Sequence, residues 1–183
     1  MSCAAVKIHK DKIEIACDSM TAQGDMIVPS SFMKMQKIEL NDNNIKYTIV
    51  AASAGSVEVM DAFFSFIRNL DQKDYKYLNK RNSIRILMER FVKTLDDKER
   101  DYGSSNNDFL LVINDKAYYI YATLVDEIIE YRAIGSGCPY ANTALLLGKS
   151  AKAAVKVATK MDVYVREPIY VIEIPKECDK NDN

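Results

Sequence analysis

The sequence predicts an α+β fold in which two mainly antiparallel sheets stack face to face with a helix pair outside each, a four-layer αββα sandwich. Three observations lead there. Strand-length apolar bursts come in runs, helical patterns come in adjacent pairs, and 48% of the 183 residues are hydrophobic, enough for one domain to bury several apolar faces. A doubly wound parallel sheet would instead alternate strands and helices singly.

Residues 2–9 (SCAAVKIH) and 12–18 (KIEIACD) flank the turn Lys10-Asp11 and read as a hairpin. After a stretch containing Gly, Pro and Ser, residues 32–40 (FMKMQKIEL) alternate, and residues 45–54 (IKYTIVAASA) complete a second strand pair. Residues 56–70 place Val59, Phe63, Phe66 and Ile67 at helical spacing, with Ser56 as the cap. Residues 71–81 are polar and read as a loop. A second helix over 83–101 carries Ile84, Leu87, Phe91 and Leu95, and Gly103 stops it. Strands return at 109–113 and 117–121 around Asn114-Asp115-Lys116, and a third runs over 127–134. Pro139 suits the first turn of a helix ending at Leu147-Gly148, and Ser150 caps an Ala-rich helix to Met161. Residues 168–174 (PIYVIEI) form a last strand. One domain is expected over 2–175, with a polar tail at 176–183.

Composition excludes several functions. The 25 Lys and Arg against 26 Asp and Glu leave no basic excess to neutralise a phosphate backbone, so nucleic acid is not the expected partner. A lone histidine, His9, rules out His-rich zinc sites and any scheme with two imidazoles, and it reads as an exposed strand residue. Cys3, Cys17, Cys138 and Cys178 form no CxxC pair, and nothing at the start reads as a signal peptide, so reduced thiols in a cytoplasm are expected. No apolar run is long enough to span a membrane.

The chemistry gathers at the N-terminus. Methionine before a small residue is normally removed in cells, which would leave Ser2 carrying a hydroxyl and a free α-amine. With a reference pKa of about 7.7–8.0, such an amine can serve as the base that one histidine does not supply. Asp18 lies sixteen residues after Ser2, and Lys34 sixteen after Asp18. Three further blocks accompany them: Gly24 through Lys34, Ala52-Ser53-Ala54-Gly55-Ser56, and Ala133-Ile134-Gly135-Ser136-Gly137-Cys138-Pro139-Tyr140-Ala141.

Together these resemble the proteasome β-subunit branch of the N-terminal nucleophile (Ntn) hydrolases, and within it the bacterial HslV (ClpQ) peptidases. The resemblance implies a threonine-protease mechanism run here by serine: Ser2 attacks a peptide carbonyl and its own α-amine takes the proton. Lys34 keeps its charge beside Ser2, and Asp18 holds Lys34 in place. Gly55 would supply the backbone N–H to the oxyanion, Ser136 would bond near the α-amine, and Asp162 would complete the set. Thr21 and Ala22 would line the substrate pocket, and Ser53 would leave it wider or more polar than a larger apolar residue does. Cys3 is the alternative nucleophile, at the expense of the register with Asp18.

No cofactor is required, although the resemblance allows sodium or another cation on the backbone carbonyls of Thr159, Asp162 and Val165. It also implies homo-oligomeric stacked rings, an ATP-dependent ring unfoldase as partner, and unfolded polypeptide as substrate. Two other readings stand beside it: a catalytically silent structural or assembly subunit, and an Ntn hydrolase of small amides.

Overall fold

The computed structural model describes residues 2–23, 26–28, 30–42, 45–95 and 107–176. The expected cleavage at Met1, the glycine Gly24, residues 96–101 of the expected second helix with Gly103, Cys178 and most of the tail lie outside them; that helix itself ends at Thr94, with Leu95 extended.

Strands β1 (Ala4–Ile8) and β2 (Lys12–Cys17) form the expected hairpin. A short ladder, β3 (Ala22–Gln23) with β4 (Met26–Ile27), follows, and then β5 (Met35–Asp42) pairs with β6 (Ile45–Ala54). Helix α1 (Val57–Arg68) and helix α2 (Arg81–Thr94) come next, then β7 (Asp108–Ile113), β8 (Lys116–Tyr121), β9 (Leu124–Ile128) and β10 (Tyr131–Ile134). Helices α3 (Cys138–Leu146) and α4 (Ala151–Met161) precede the last strand, β11 (Tyr170–Pro175). One sheet runs β10-β1-β2-β11 and the other β5-β6-β7-β8-β9, each antiparallel throughout.

Three cores separate the four layers. Both faces of the central strands are buried, which is why their sequences run apolar without a polar alternate. Ile49 and Ala51 of β6 face α1 and α2, whereas Val50, Ala52 and Ala54 face the other sheet. Ala4, Val6, Ile13 and Ile15 meet them there, while Ala5 and Ala16 turn outward to α3 and α4. This outer core is built from small residues, Ala141, Ala144, Ala151, Ala154 and Ala158, so the helices can approach the sheet closely. Glu14 faces the same way. Its buried carboxylate accepts the backbone N–H groups of Ala151 (3.2 Å) and Lys152 (3.1 Å) at the positive end of α4. His9 Nε2 stands 3.4 Å from Glu14 Oε2, so the lone histidine is half-covered rather than free on the surface.

Several expectations are corrected. The run at 127–134 is not one strand: it breaks at Ile129-Glu130, with β9 on the edge of the five-stranded sheet and β10 on the edge of the other. Periodicity cannot reveal this change of sheet, because both halves alternate equally well. The polar stretch expected as a loop is a 3-10 helix, Gln72–Asn79. Tyr75 and Leu78, three residues apart and so on one face of a three-residue turn, plug the base of the helix-side core. Within it, Asp74 accepts a two-pronged bond from Arg90 of α2 at 2.6 and 3.0 Å. Ser56 occupies the cap position of α1, but its hydroxyl donates to Glu58 and caps no backbone group. Ser150 does cap α4, accepting from Ala153 N. The strand expected from residue 32 begins at Met35, and the α1 helix ends at Arg68.

Phe63 is fully buried, with ring centroids 4.3 Å from Phe109 and 5.2 Å from Phe91. Phe63→Ala is expected to cost about 3–5 kcal/mol in urea unfolding, the range for emptying a large aromatic site. The Arg90 fork holds the Asp74 carboxyl below its ordinary value. A depressed carboxyl contributes stability above its unfolded pKa of about 3.9 and loses it in acid. The stability gap between wild type and Asp74→Asn should therefore be full near neutrality and close below about pH 4, as read by urea midpoints across pH.

Candidate active site

Ser2 lies two residues before β1, Asp18 immediately follows β2, and Lys34 immediately precedes β5. The β1–β2 hairpin sets Ala4 opposite Cys17, so chain entry and exit lie side by side, and Asp18 N donates to Cys3 O at 3.0 Å. The register of sixteen residues is thus the length of one hairpin. The sheet-to-sheet path then carries Lys34 across, where Lys34 O accepts from Ser53 N of β6 at 3.0 Å.

These three residues meet in the interior: Ser2 is 1% exposed, Asp18 0% and Lys34 4%. Lys34 Nζ donates to Ser2 Oγ (2.6 Å), Asp18 Oδ1 (2.6 Å) and Met20 O (2.8 Å), one acceptor for each proton of an ammonium. Asp18 Oδ1 also accepts from Ser2 Oγ (3.1 Å) and Cys3 N (2.9 Å), and its Oδ2 from Met20 N (3.0 Å) and Arg166 N (3.3 Å). A fully buried carboxylate thereby has five donors, the condition under which burying it is tolerable.

The β10–α3 joint closes the other side. The Ser2 nitrogen, an amide in the full chain, donates to Ser136 Oγ at 3.2 Å. Gly137 N and Ser136 Oγ donate to Ser2 O at 3.2 and 3.4 Å. Gly135 has φ +85°, and a Cβ there would stand 2.2 Å from Ser2 O, so backbone and handedness both require glycine. The same imagined Cβ would lie 3.0 Å from Ala54 Cβ, which sets the end of β6 against Ser2. Gly55 follows at φ +140°, and among the described residues its N–H donates to no acceptor.

The other expected residues sit differently. Cys3 is fully buried in the outer core with Ala5 and Ala16, because alternation along the strand turns it away from Lys34. With Ser2 in place before it, burial and then the Asp18 charge push its thiol far above the ordinary cysteine value. Burial likewise raises Cys17 to about 12. Asp162 ends α4, and its Oδ1 accepts Tyr164 N at 2.8 Å; it holds its own loop and is no hydrogen-bond partner of Ser2 among the described residues. Asp162 O accepts from Val165 N at 3.2 Å, Thr159 Oγ1 turns back to Lys156 O, and Val165 is buried in the outer core. Among the described residues no group of three His, Cys, Asp or Glu side chains gathers to hold a metal, and of the three carbonyls that of Asp162 already accepts one N–H. Ser53 is 1% exposed and its hydroxyl donates to Asp108 O at 3.0 Å, which makes it a brace between β6 and β7 rather than an open polar wall. Thr21 and Ala22 are half-buried, and Thr21 Oγ1 is covered without a hydrogen-bond partner among the described residues.

Sequence reasoning missed Asn107, fully buried beside β7 and bonded to both backbone groups of Ser56. It also missed the backbone donors Met20 and Arg166, which no residue type announces. A cleft of about 350 Å³ adjoins the joint, lined by Asp108, Tyr119, Arg132, Ile134, Cys138 and Asn142. Tyr119 donates to Asp108 Oδ1 at 2.7 Å and lies under the Arg132 guanidinium. A larger cavity, about 500 Å³ around Lys37, Lys46, Thr48 and Asn114, includes no residue of the Ser2 cluster.

No protein-family model and no curated protein matches the sequence. Solved structures do. The BPH protein of Thiobacillus denitrificans, solved in complex with epoxomicin, superposes with a TM-score of 0.75 at 19% identity over 96% of this chain and 99% of that one. Eukaryotic HslV from Trypanosoma brucei gives 0.71 at 20% identity, over 94% and 99%. Anbu, an ancestral β-subunit from Yersinia bercovieri, gives 0.74 at 21% identity, over 94% and 81%. Such agreement over nearly the whole chain, at identities too low to speak for more than architecture, establishes that the protein has the fold shared by HslV, BPH and Anbu.

Proposed function

We propose that the protein is a peptidase of the proteasome and HslV type whose nucleophile is Ser2, exposed by removal of Met1. The observation that carries this is the Lys34 ammonium, buried and 2.6 Å from both Ser2 Oγ and Asp18 Oδ1. Loss of Met1 turns the Ser2 amide into an α-amine on the residue that bears the hydroxyl. The Lys34 charge disfavours a second positive charge on that amine and favours negative charge developing on Oγ.

In the proposed reaction Ser2 Oγ bonds to the substrate carbonyl carbon and its proton passes to the α-amine. The carbonyl oxygen becomes an oxyanion facing the Gly55 N–H. Collapse breaks the carbon–nitrogen bond, the amine's proton leaves with the new N-terminus, and water then hydrolyses the Ser2 ester. The Ser136 hydroxyl, 3.2 Å from the Ser2 nitrogen, orients the base.

On the same resemblance, copies of the chain assemble as stacked rings and an ATP-driven unfoldase feeds them unfolded polypeptide. The sequence has no P-loop of its own. Exposed apolar residues at the ends of α3 and α4, namely Leu146 and Leu147 and then Met161 and Val163, each more than half exposed, support self-association. No helix among the described residues is long and apolar enough to cross a membrane.

The intact mass of protein from its native host should lack Met1, and retention or acetylation would favour the silent-subunit reading. Ser2→Ala should abolish hydrolysis of fluorogenic peptides and labelling by an epoxyketone or boronate; undiminished labelling would remove Ser2 from the reaction. Lys34→Ala should lower kcat by about 10²–10³, as for loss of a group stabilising transition-state charge. It should also destabilise the fold by about 3–5 kcal/mol, because Asp18 is left buried and unpaired. Wild-type turnover in that variant would overturn its role.

A further inference from the structure

We infer that Asn107 is a positioning residue for the oxyanion site, its carboxamide fixing the Gly55-Ser56 backbone so that the Gly55 N–H is held ready for the substrate carbonyl; this rests on the peptidase reading above. The β6–β7 ladder ends at the pair Ala54 and Asp108, tightened one step earlier by Ser53 Oγ donating to Asp108 O. Beyond that pair the two strands part. Asn107, fully buried, continues the pairing with its side chain: Oδ1 accepts Ser56 N at 2.9 Å and Nδ2 donates to Ser56 O at 3.1 Å.

A carboxamide is the one side-chain group that offers a peptide's donor and acceptor together, so it replaces the missing backbone partner. The peptide is thus tied at Ser53 and Ala54 on one side and at Ser56 on the other. Gly55, between them, keeps an N–H bonded to nothing among the described residues, at φ +140°. Ser56 O also accepts from Met60 N at 3.1 Å, so the clamp extends into the first turn of α1. A donor held by its neighbours costs no reorganisation when charge develops, which is what preorganised stabilisation requires.

The test uses the full-length, Met1-processed protein and compares Asn107→Ala and Asn107→Asp with Leu87→Ala, a core variant on the α2 side that loses stability without touching the clamp. Asn107→Asp keeps the acceptor for Ser56 N but sets negative charge against Ser56 O. Both Asn107 variants should lose about 10- to 100-fold in kcat at unchanged KM, less than the roughly 10²–10³ for a deleted donor. Their Ki for a peptide aldehyde, whose adduct carries the oxyanion, should rise in parallel. Leu87→Ala should lower Tm while keeping kcat and Ki. An active wild type whose Asn107 variants keep kcat, or change KM alone, overturns the role of Asn107. A processed wild type that neither turns over peptide nor takes label at Ser2 overturns the peptidase reading and this inference with it.

Discussion

The structure depends on a buried ion pair. Taking Asp18 and Lys34 out of water costs several kcal/mol per charge, and their attraction offsets this only if every remaining lone pair and proton is also satisfied. Here that condition recruits the chain. Asp18 draws in Ser2, Cys3, Met20 and Arg166, and Lys34 draws in Ser2 and Met20. Segments from the start of β1, the end of β2, the approach to β5 and the loop before β11 converge because each supplies a bond that the pair cannot do without. Apolar residues in these places would pack well enough, but they would not specify that four segments meet at one point.

That convergence explains the glycines and alanines around it. The joint between β10 and α3 must pass within bonding distance of Ser2 O, and a side chain at Gly135 or Gly137 would collide with Ser2 or Cys3. The alanine-lined outer core then lets α3 and α4 lie close behind the strands that hold the site. Rigidity comes from this close packing on one side and from the aromatic cluster of Phe63, Phe91 and Phe109 on the other.

Much of this is legible in the sequence because it is local or periodic. The β1–β2 hairpin, the whole of β6, the helix pairs and the Ser150 cap follow from alternation, helical spacing and turn chemistry. The spacing from Ser2 to Asp18 to Lys34 is legible because one hairpin fixes its first half. What escapes is what depends on a partner far along the chain. The break at Ile129-Glu130 follows from β10 finding β1, and the 3-10 helix forms because Tyr75 and Leu78 have a core to fill. Asn107 looks like any polar residue before a strand until Ser56 is set beside it.

Serine in place of threonine sharpens the role of the pair. A β-branched nucleophile is restricted at χ1 by its own methyl group, and serine gives up that restriction. In this protein the Ser2 hydroxyl is instead fixed from outside, donating to Asp18 Oδ1 at 3.1 Å while accepting from Lys34 Nζ at 2.6 Å. Charge-assisted bonds of this length are stronger than neutral ones, and at about 1.5–3 kcal/mol each they exceed the roughly 0.5–1.5 kcal/mol that an off-rotamer side chain costs. Orientation of the hydroxyl oxygen therefore follows from the ion pair and not from the side chain's own shape, and in the proposed attack its one proton has to turn from Asp18 to the α-amine.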